Sequence, residues 1–199
     1  MIFNFLAENW FEIVAALLAI AYLLLAMRQD ARCWIAWIIS SLMYLFVMYS
    51  AGLYMEAVLQ IFYLLMGFYG LYQWQYRPAN NAALKIKVWP ITAHLLSLTV
   101  LFLLVVTSGY ILTNNTNAVS PYIDAFTTWG AIIASYMLAK KILENWIYWF
   151  VIDFVSVFLF VSRELYPTAL LFCLYLVLVI FGYRSWKNEW QLKWKKLMF

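Results

Sequence analysis

The chain has 199 residues, 67% of them hydrophobic and 11% charged, with 21% aromatic content and a formal net charge of +4. A soluble globule of that composition has too few polar side chains to cover its core, so the chain reads as an all-α integral membrane protein. The excess of Lys and Arg then belongs to one membrane face and is not a nucleic-acid footprint.

Apolar runs of about 17 to 22 residues predict seven transmembrane helices, over 10–27, 34–50, 55–74, 90–112, 122–139, 145–161 and 168–183. No basic region precedes the first run, so a cleavable signal peptide is not expected. The first helix carries Glu12 near its outer end. The second opens on Trp34 and Trp37, followed by Ser41 and Tyr44, and the third presents Gln60 and Tyr63 on one face ahead of Gly67 and Gly70. The fourth begins at Pro90 and holds the single histidine, His94, which reads as a polar anchor rather than a proton-coupling site. The fifth starts with Asp124 beside Thr127, Thr128 and Trp129; the sixth carries Trp146, Trp149 and Asp153; the seventh carries Tyr175 and Gly182. Beyond it Trp186, Trp190 and Trp194 alternate with Lys187, Lys193, Lys195 and Lys196, and residues 189–199 are expected to form an interfacial cytoplasmic tail on anionic lipid.

One pattern is written twice. Trp34, Trp37, Leu53, Tyr54, Ala57, Tyr63, Gly70 and Trp74 recur 112 positions later as Trp146, Trp149, Leu165, Tyr166, Ala169, Tyr175, Gly182 and Trp186. Residues 10–76 and 122–188 are therefore expected to be three-helix repeats joined by the helix over 90–112, all within one membrane domain spanning 1–199. A single joining helix returns the chain to the starting side, which makes the repeats parallel. That 3+1+3 arrangement places a site at the repeat interface near the bilayer midplane, as in secondary transporters.

With seven spans, Arg28, Arg32, Arg77, Lys85, Lys87, Lys140, Lys141, Arg184, Lys187, Lys193, Lys195 and Lys196 fall on one side, and Arg163 falls on the other. Cations are retained in the cytoplasm, so the N-terminus is expected outside and the C-terminus inside.

Ionisable groups inside a span are costly unless they meet a partner or a wet cavity. Asp153 falls near the middle of the sixth helix, with Trp149 one turn earlier and Trp146 roughly another turn back on the same side. A carboxylate beside an aromatic shelf suits a flat cationic ring; an Asp that is protonated or bonded across helices for packing is the alternative. Trp37 and Ser41 are the repeat mates of Trp149 and Asp153, and Tyr63 that of Tyr175. Gln60, Tyr63 and Tyr175 offer polar edges to a ligand; interhelical hydrogen bonding is the alternative, and the simpler one for the two tyrosines. Glu12 and Asp124, also repeat mates, occupy first turns where the helix dipole favours an anion, and Asp124 is the better binding candidate. Gly67, Gly70 and Gly182 fit close helix packing, since no strand precedes them to make a phosphate loop. Cys33 and Cys173 make neither a plausible disulfide nor a metal site, and no cofactor is expected.

The segments Glu144-Asn145-Trp146-Ile147-Tyr148-Trp149 through Asp153-Phe154-Val155-Ser156, then Leu165-Tyr166 and Gly182-Tyr183-Arg184-Ser185-Trp186, resemble the second half of the PnuC family of vitamin transporters. Phe68-Tyr69-Gly70-Leu71-Tyr72-Gln73-Trp74 is similar to the end of that family's first three-helix unit. The resemblance covers nearly the whole chain and is strongest after Tyr122. It implies a 3+1+3 layout related to SWEET sugar porters and uptake of nicotinamide riboside across the bacterial inner membrane, with thiamine as cargo of the related PnuT branch. It further implies facilitated diffusion, trapping of the cargo by a separate cytoplasmic kinase, and a homo-oligomer, a trimer among the options. The family's nicotinamide riboside carriers tend to place Asn after the Trp pair, where this chain has Asp153. An ionised carboxylate only accepts hydrogen bonds, whereas an amide also donates, so thiamine stays open beside nicotinamide riboside.

The competing class is a membrane-embedded enzyme or sensor. An enzyme needs a nucleophile and base or a metal cluster, and one histidine with two unpaired cysteines supplies neither. A sensor normally adds an output domain.

Overall fold

The computed structural model describes residues 2–50, 54–75, 84–115, 120–162 and 166–198. Leu53, Arg77, Arg163 and Leu165 lie outside the described residues, and the side chains of Glu12, Tyr54, Tyr166, Trp194 and the last three lysines likewise. Among the described residues seven α-helices follow one another: α1 (Ile2–Met27), α2 (Arg32–Ser50), α3 (Tyr54–Gln75), α4 (Ile91–Asn115), α5 (Pro121–Ala139), α6 (Asn145–Ser162) and α7 (Tyr166–Met198).

Each expected helix forms, with two corrections. α1 begins eight residues early, because Ile2, Phe3, Phe5 and Leu6 continue the apolar run across three polar residues, Asn4, Glu8 and Asn9. α7 continues without a break to Met198, so residues 189–198 extend the last helix rather than form a separate segment. At 1.5 Å per residue a helix of 33 residues is about 50 Å long, more than a hydrocarbon core of about 30 Å holds. Its cationic end therefore projects past the apolar zone. Among the described residues three helical stretches are long and apolar enough to span a bilayer, Ile91–Asn115, Asn145–Ser162 and Ala169–Leu192. Ile13–Met27 and Arg32–Val47 are shorter apolar stretches. α3 and α5 fall short because Gln60, Gln73 and four tyrosines dilute the one, and Asp124, Thr127, Thr128 and Ser135 the other.

The chain divides into two compact units, Met1–Leu84 and Lys85–Phe199. In the first, α2 packs against both α1 and α3; in the second, α4 packs on α5, α5 on α6 and α6 on α7. The joining helix α4 thus belongs to the second unit.

The duplicated residues make the same contacts inside their own units. Trp34 is fully buried, meets Trp74 edge to face at 5.5 Å and 89°, and covers Gly70, where a Cβ would come within 2.4 Å of its ring. Trp146, 1% exposed, meets Trp186 at 5.4 Å and 88° and covers Gly182, where a Cβ would come within 2.5 Å. Only glycine leaves room for an indole at so short an approach.

The equivalence reaches the backbone. α1 closes with Asp30 N–H donating to Leu25 C=O (3.1 Å) and Gln29 N–H to Ala26 C=O (3.0 Å). α5 closes with Ile142 N–H donating to Met137 C=O (2.9 Å) and Lys141 N–H to Leu138 C=O (3.0 Å). Both ends are Schellman motifs, in which a left-handed residue turns the chain back to satisfy free carbonyls. Gln29 at φ 55° and Lys141 at φ 53° occupy that position without being glycine.

One contact in the second unit was not legible beforehand. Residues 84–90 run beside the α5–α6 connection, with Lys87 N–H donating to Lys141 C=O (2.9 Å) and Leu143 N–H to Lys87 C=O (2.8 Å), an isolated parallel bridge. Trp89 N–H donates to Glu144 Oε2 (3.3 Å), and His94 Nδ1 lies 3.1 Å from the Tyr148 hydroxyl. These bonds bring Lys85, Lys87, Lys140 and Lys141 to the same end of the unit. The Trp146–Trp186 contact brings Arg184 and Lys187 there too.

Candidate functional site

α6 presents the densest polar face inside the second unit. Its 18 residues span about 27 Å, close to the thickness of the hydrocarbon core, and Asp153 is the ninth of them. Asn145, Trp146, Ile152, Asp153, Ser156 and Leu159 are buried along the helix, Ile152 resting against Gly130 of α5. Trp149, Asp153 and Ser156 follow at spacings of four and three, so they share one face. Trp149 is half-buried.

Asp153 is 4% exposed, and among the described residues its carboxyl group makes no hydrogen bond and no ion pair. Elsewhere in the same unit Ser135 Oγ and Asn145 Oδ1 are fully enclosed and also without a hydrogen-bond partner among the described residues. A carboxyl group so placed is costly to keep charged unless a cation or donor arrives. The indole N–H of Trp149 is also unbonded among the described residues.

Trp146 is 1% exposed. Two turns before Asp153 on α6, it is enclosed by Gly182 and Trp186 and serves the α6–α7 packing. Tyr175 of α7 is half-buried and meets Phe172 edge to face at 5.5 Å, Phe172 in turn lying 5.0 Å from Phe160 of α6. Asp124 is half-buried in the first turn of α5; its backbone carbonyl accepts from the Thr127 hydroxyl (3.1 Å), and its N–H donates to Ser120 C=O (3.0 Å). The nearby Trp129 is tied to α4 through Nε1–H donating to Ser108 Oγ (2.9 Å).

In the first unit the structure brings Trp37 and Tyr63 together. Trp37, 7% exposed, donates its Nε1–H to Tyr63 C=O (2.7 Å) and meets the Tyr63 ring edge to face at 5.3 Å. Tyr22 of α1 meets the same indole edge to face at 4.4 Å, a contact without a sequence signal, because one tyrosine in an apolar helix carries no pattern. Ser41 is buried one turn after Trp37, and its neighbour Ser40 donates to Ala15 C=O (2.9 Å). Gln60 is half-buried one turn before Tyr63 on α3. The two halves thus differ at their matched tryptophans: Trp37 is anchored by a hydrogen bond, and Trp149 makes none among the described residues.

Among the described residues no three His, Cys, Asp or Glu side chains converge as a metal site. An apolar groove of about 350 Å³ opens between the start of α6 and the later part of α7, lined by neither Trp149 nor Asp153.

Residues 9–188 match the family described as nicotinamide mononucleotide transporter. A helical fold with membrane-length apolar segments and a buried polar face is accordingly that of an all-α membrane transporter. The chain belongs to the nicotinamide mononucleotide transporter family. It is 24% identical over 210 residues to the nicotinamide riboside transporter PnuC of Escherichia coli K12, covering 91% of this chain and 86% of that one. It is 24% identical over 197 residues to PnuC of Neisseria mucosa, covering 94% and 75%. The riboflavin/roseoflavin transporter RibM of Streptomyces davaonensis is 26% identical over 184 residues, covering 89% and 84%. The crystal structure of the vitamin B3 transporter PnuC superposes with a TM-score of 0.77 at 22% identity, over 94% of this chain and 84% of that one, a likeness of fold.

Proposed function

We propose that the protein carries a flat, cationic heteroaromatic vitamin across the bacterial inner membrane, with nicotinamide riboside as the first candidate. The observation that carries this reading is Asp153, a buried carboxyl group with no hydrogen bond or ion pair among the described residues, one turn from the Trp149 indole, which is likewise unbonded among them. A pyridinium ring stacks on the indole while its positive charge is answered by the carboxylate. The relatives named for nicotinamide riboside support that choice of cargo.

Thiamine is the second reading, favoured by the carboxylate at 153, which suits a thiazolium cation as well as it suits a pyridinium. Riboflavin, cargo of one relative by its name, is uncharged in its ring system and would leave Asp153 unanswered. Trp146, Trp37, Ser41, Gln60, Tyr63, Asp124 and Tyr175 remain candidates for secondary contacts to the cargo.

In this reading the seven helices are seven spans arranged as 3+1+3 parallel repeats of the SWEET type. The matched Trp–Gly–Trp clusters and the matched Schellman ends support it. The cationic end of each unit is cytoplasmic, with the N-terminus outside. Transport is facilitated diffusion followed by trapping through a cytoplasmic kinase, and the protein works as a homo-oligomer, a trimer by family likeness.

The test is calorimetric binding of nicotinamide riboside, thiamine and riboflavin to the purified protein, repeated with Asp153→Asn. Binding of a cationic vitamin that weakens at least tenfold in Asp153→Asn, about 1.4 kcal/mol, supports the assignment. Equal binding of riboflavin by both proteins, with no cation bound, overturns it.

A further inference from the structure

The groove between α6 and α7 is apolar along its length and cationic at one end. Ile147 and Phe150 of α6 and Val179 and Ile180 of α7 form its walls, and Arg184 and Lys187 stand exposed at its rim. Lys187 Nζ lies 5.5 Å above the ring of Tyr183, which also lines the groove. The rim belongs to the cation-rich end of the second unit, and no acidic side chain lines the groove. Glu189, the acid that follows on α7, is two residues beyond Lys187 and so points to another side of the helix.

The first unit supplies an internal comparison, because its equivalent positions are known from the duplication. The counterparts of Arg184 and Lys187 are Tyr72 and Gln75, both uncharged. The counterpart of Val179 is Gly67, where a Cβ would come within 2.6 Å of Ile38 Cγ1, so Ile38 fills that place. Ile38 is itself the counterpart of Phe150, which lines the open groove of the second unit. At these matched positions the first unit thus has a filled contact and no cation, and the open wall and the two cations belong to the second.

We infer that this groove is a binding site for an anionic phospholipid, its acyl chain between α6 and α7 and its headgroup phosphate on Arg184 and Lys187. Arg184 offers a planar fork that binds phosphate oxygens bidentately, and Lys187 adds a second charge one turn on. A volume of about 350 Å³ holds part of one chain and no whole lipid, so the remainder of the tail lies in the bilayer. A zwitterionic lipid fits the walls equally well and loses the advantage at the rim.

Native mass spectrometry of the full-length protein with added phosphatidylglycerol, phosphatidylcholine or glycerol 3-phosphate tests the assignment. Phosphatidylglycerol should be retained in preference to phosphatidylcholine. Each of Arg184→Tyr and Lys187→Gln, the residues of the first unit, should weaken it about fivefold, and the pair roughly thirtyfold. Ile147→Trp should block the groove while keeping both cations, and should also reduce retention. Size-exclusion profiles and melting temperatures identify any variant that fails to fold, and the remaining single variants then decide. Equal retention of both lipids, unchanged retention in the folded variants, or full competition by glycerol 3-phosphate alone would each overturn the proposal. A shift in oligomeric state without a change in lipid retention would assign the groove to a second copy of the chain, which also overturns it.

Discussion

Gly182 lies so close to the Trp146 ring that a Cβ at 182 would stand 2.5 Å from Cζ3 and 2.6 Å from Cε3 and Cη2. Trp146 has little freedom to retreat, because it is 1% exposed and Trp186 holds its other side. Gly182→Ala should therefore lower stability by about 1 to 3 kcal/mol, the usual cost of overpacking a filled core. Gly70→Ala, which faces Trp34 in the same way, should match it. Gly109→Ala is the control: its nominal clash is with Tyr122, which is exposed and can swing away at small cost. Thermal unfolding of the three variants in one detergent would show the first two falling together and the third near wild type.

The matched tryptophans should separate stability from binding. Trp37→Ala removes a buried indole, its hydrogen bond to Tyr63 C=O and two edge-to-face contacts, and should cost about 3 to 5 kcal/mol of stability. Trp149→Ala removes a half-buried ring and should cost less stability, but about 1 to 3 kcal/mol of vitamin binding if stacking follows the scale of bases on aromatic side chains. Melting curves and calorimetry on the same two preparations check this. Wild-type affinity in Trp149→Ala would make that residue a packing element.

Gln29 adopts a left-handed backbone that costs a non-glycine residue about 1 kcal/mol or more. Gln29→Gly should raise the melting temperature, and the gain should disappear in Gln29→Ala, which keeps the Cβ. A lower melting temperature in Gln29→Gly would mean that its side chain contributes more than the backbone strain removes.

Asp30, in the α1–α2 connection, accepts hydrogen bonds from the Arg32 side chain at 2.9 and 3.0 Å and from the Arg32 backbone N–H at 2.9 Å. The Arg32 side chain foremost, then its N–H, holds the Asp30 carboxyl below the ordinary aspartate range. A depressed carboxyl stabilises the fold above its unfolded-state value of about 3.9, and that contribution is lost as pH falls through the folded value. Stability of the wild type should therefore drop below pH 4 more steeply than that of Asp30→Asn. The two profiles should run parallel above pH 5. Because the pair is exposed, the difference should be small and should shrink in high salt.

The helices and the duplication were legible because they are written in residue type: long apolar runs, and Trp and Gly at fixed offsets. The matched ends of α1 and α5 were hidden, since Gln29 and Lys141 share a backbone angle and no chemistry. The bridge from Lys87 to the α5–α6 connection was hidden for a related reason: main-chain bonds between irregular segments leave no side-chain pattern. At the candidate site, Asp153 and Trp149 stood out by type and spacing. Trp146 shares that spacing yet turns into the α6–α7 packing, because the glycine facing it is set by the fold rather than by its own helix. α7 ran past its expected end because Lys and Trp, which mark a membrane boundary, are also tolerated well inside a helix.

The hydrogen bond from Trp37 to Tyr63 has a bearing on stoichiometry. A twofold-duplicated protein with two idle indoles could take cargo in either half, in two opposed poses. If Trp149 is the stacking indole proposed above, tying Trp37 down leaves a single berth, and a stacking vitamin would load one molecule per chain and face one way throughout its passage.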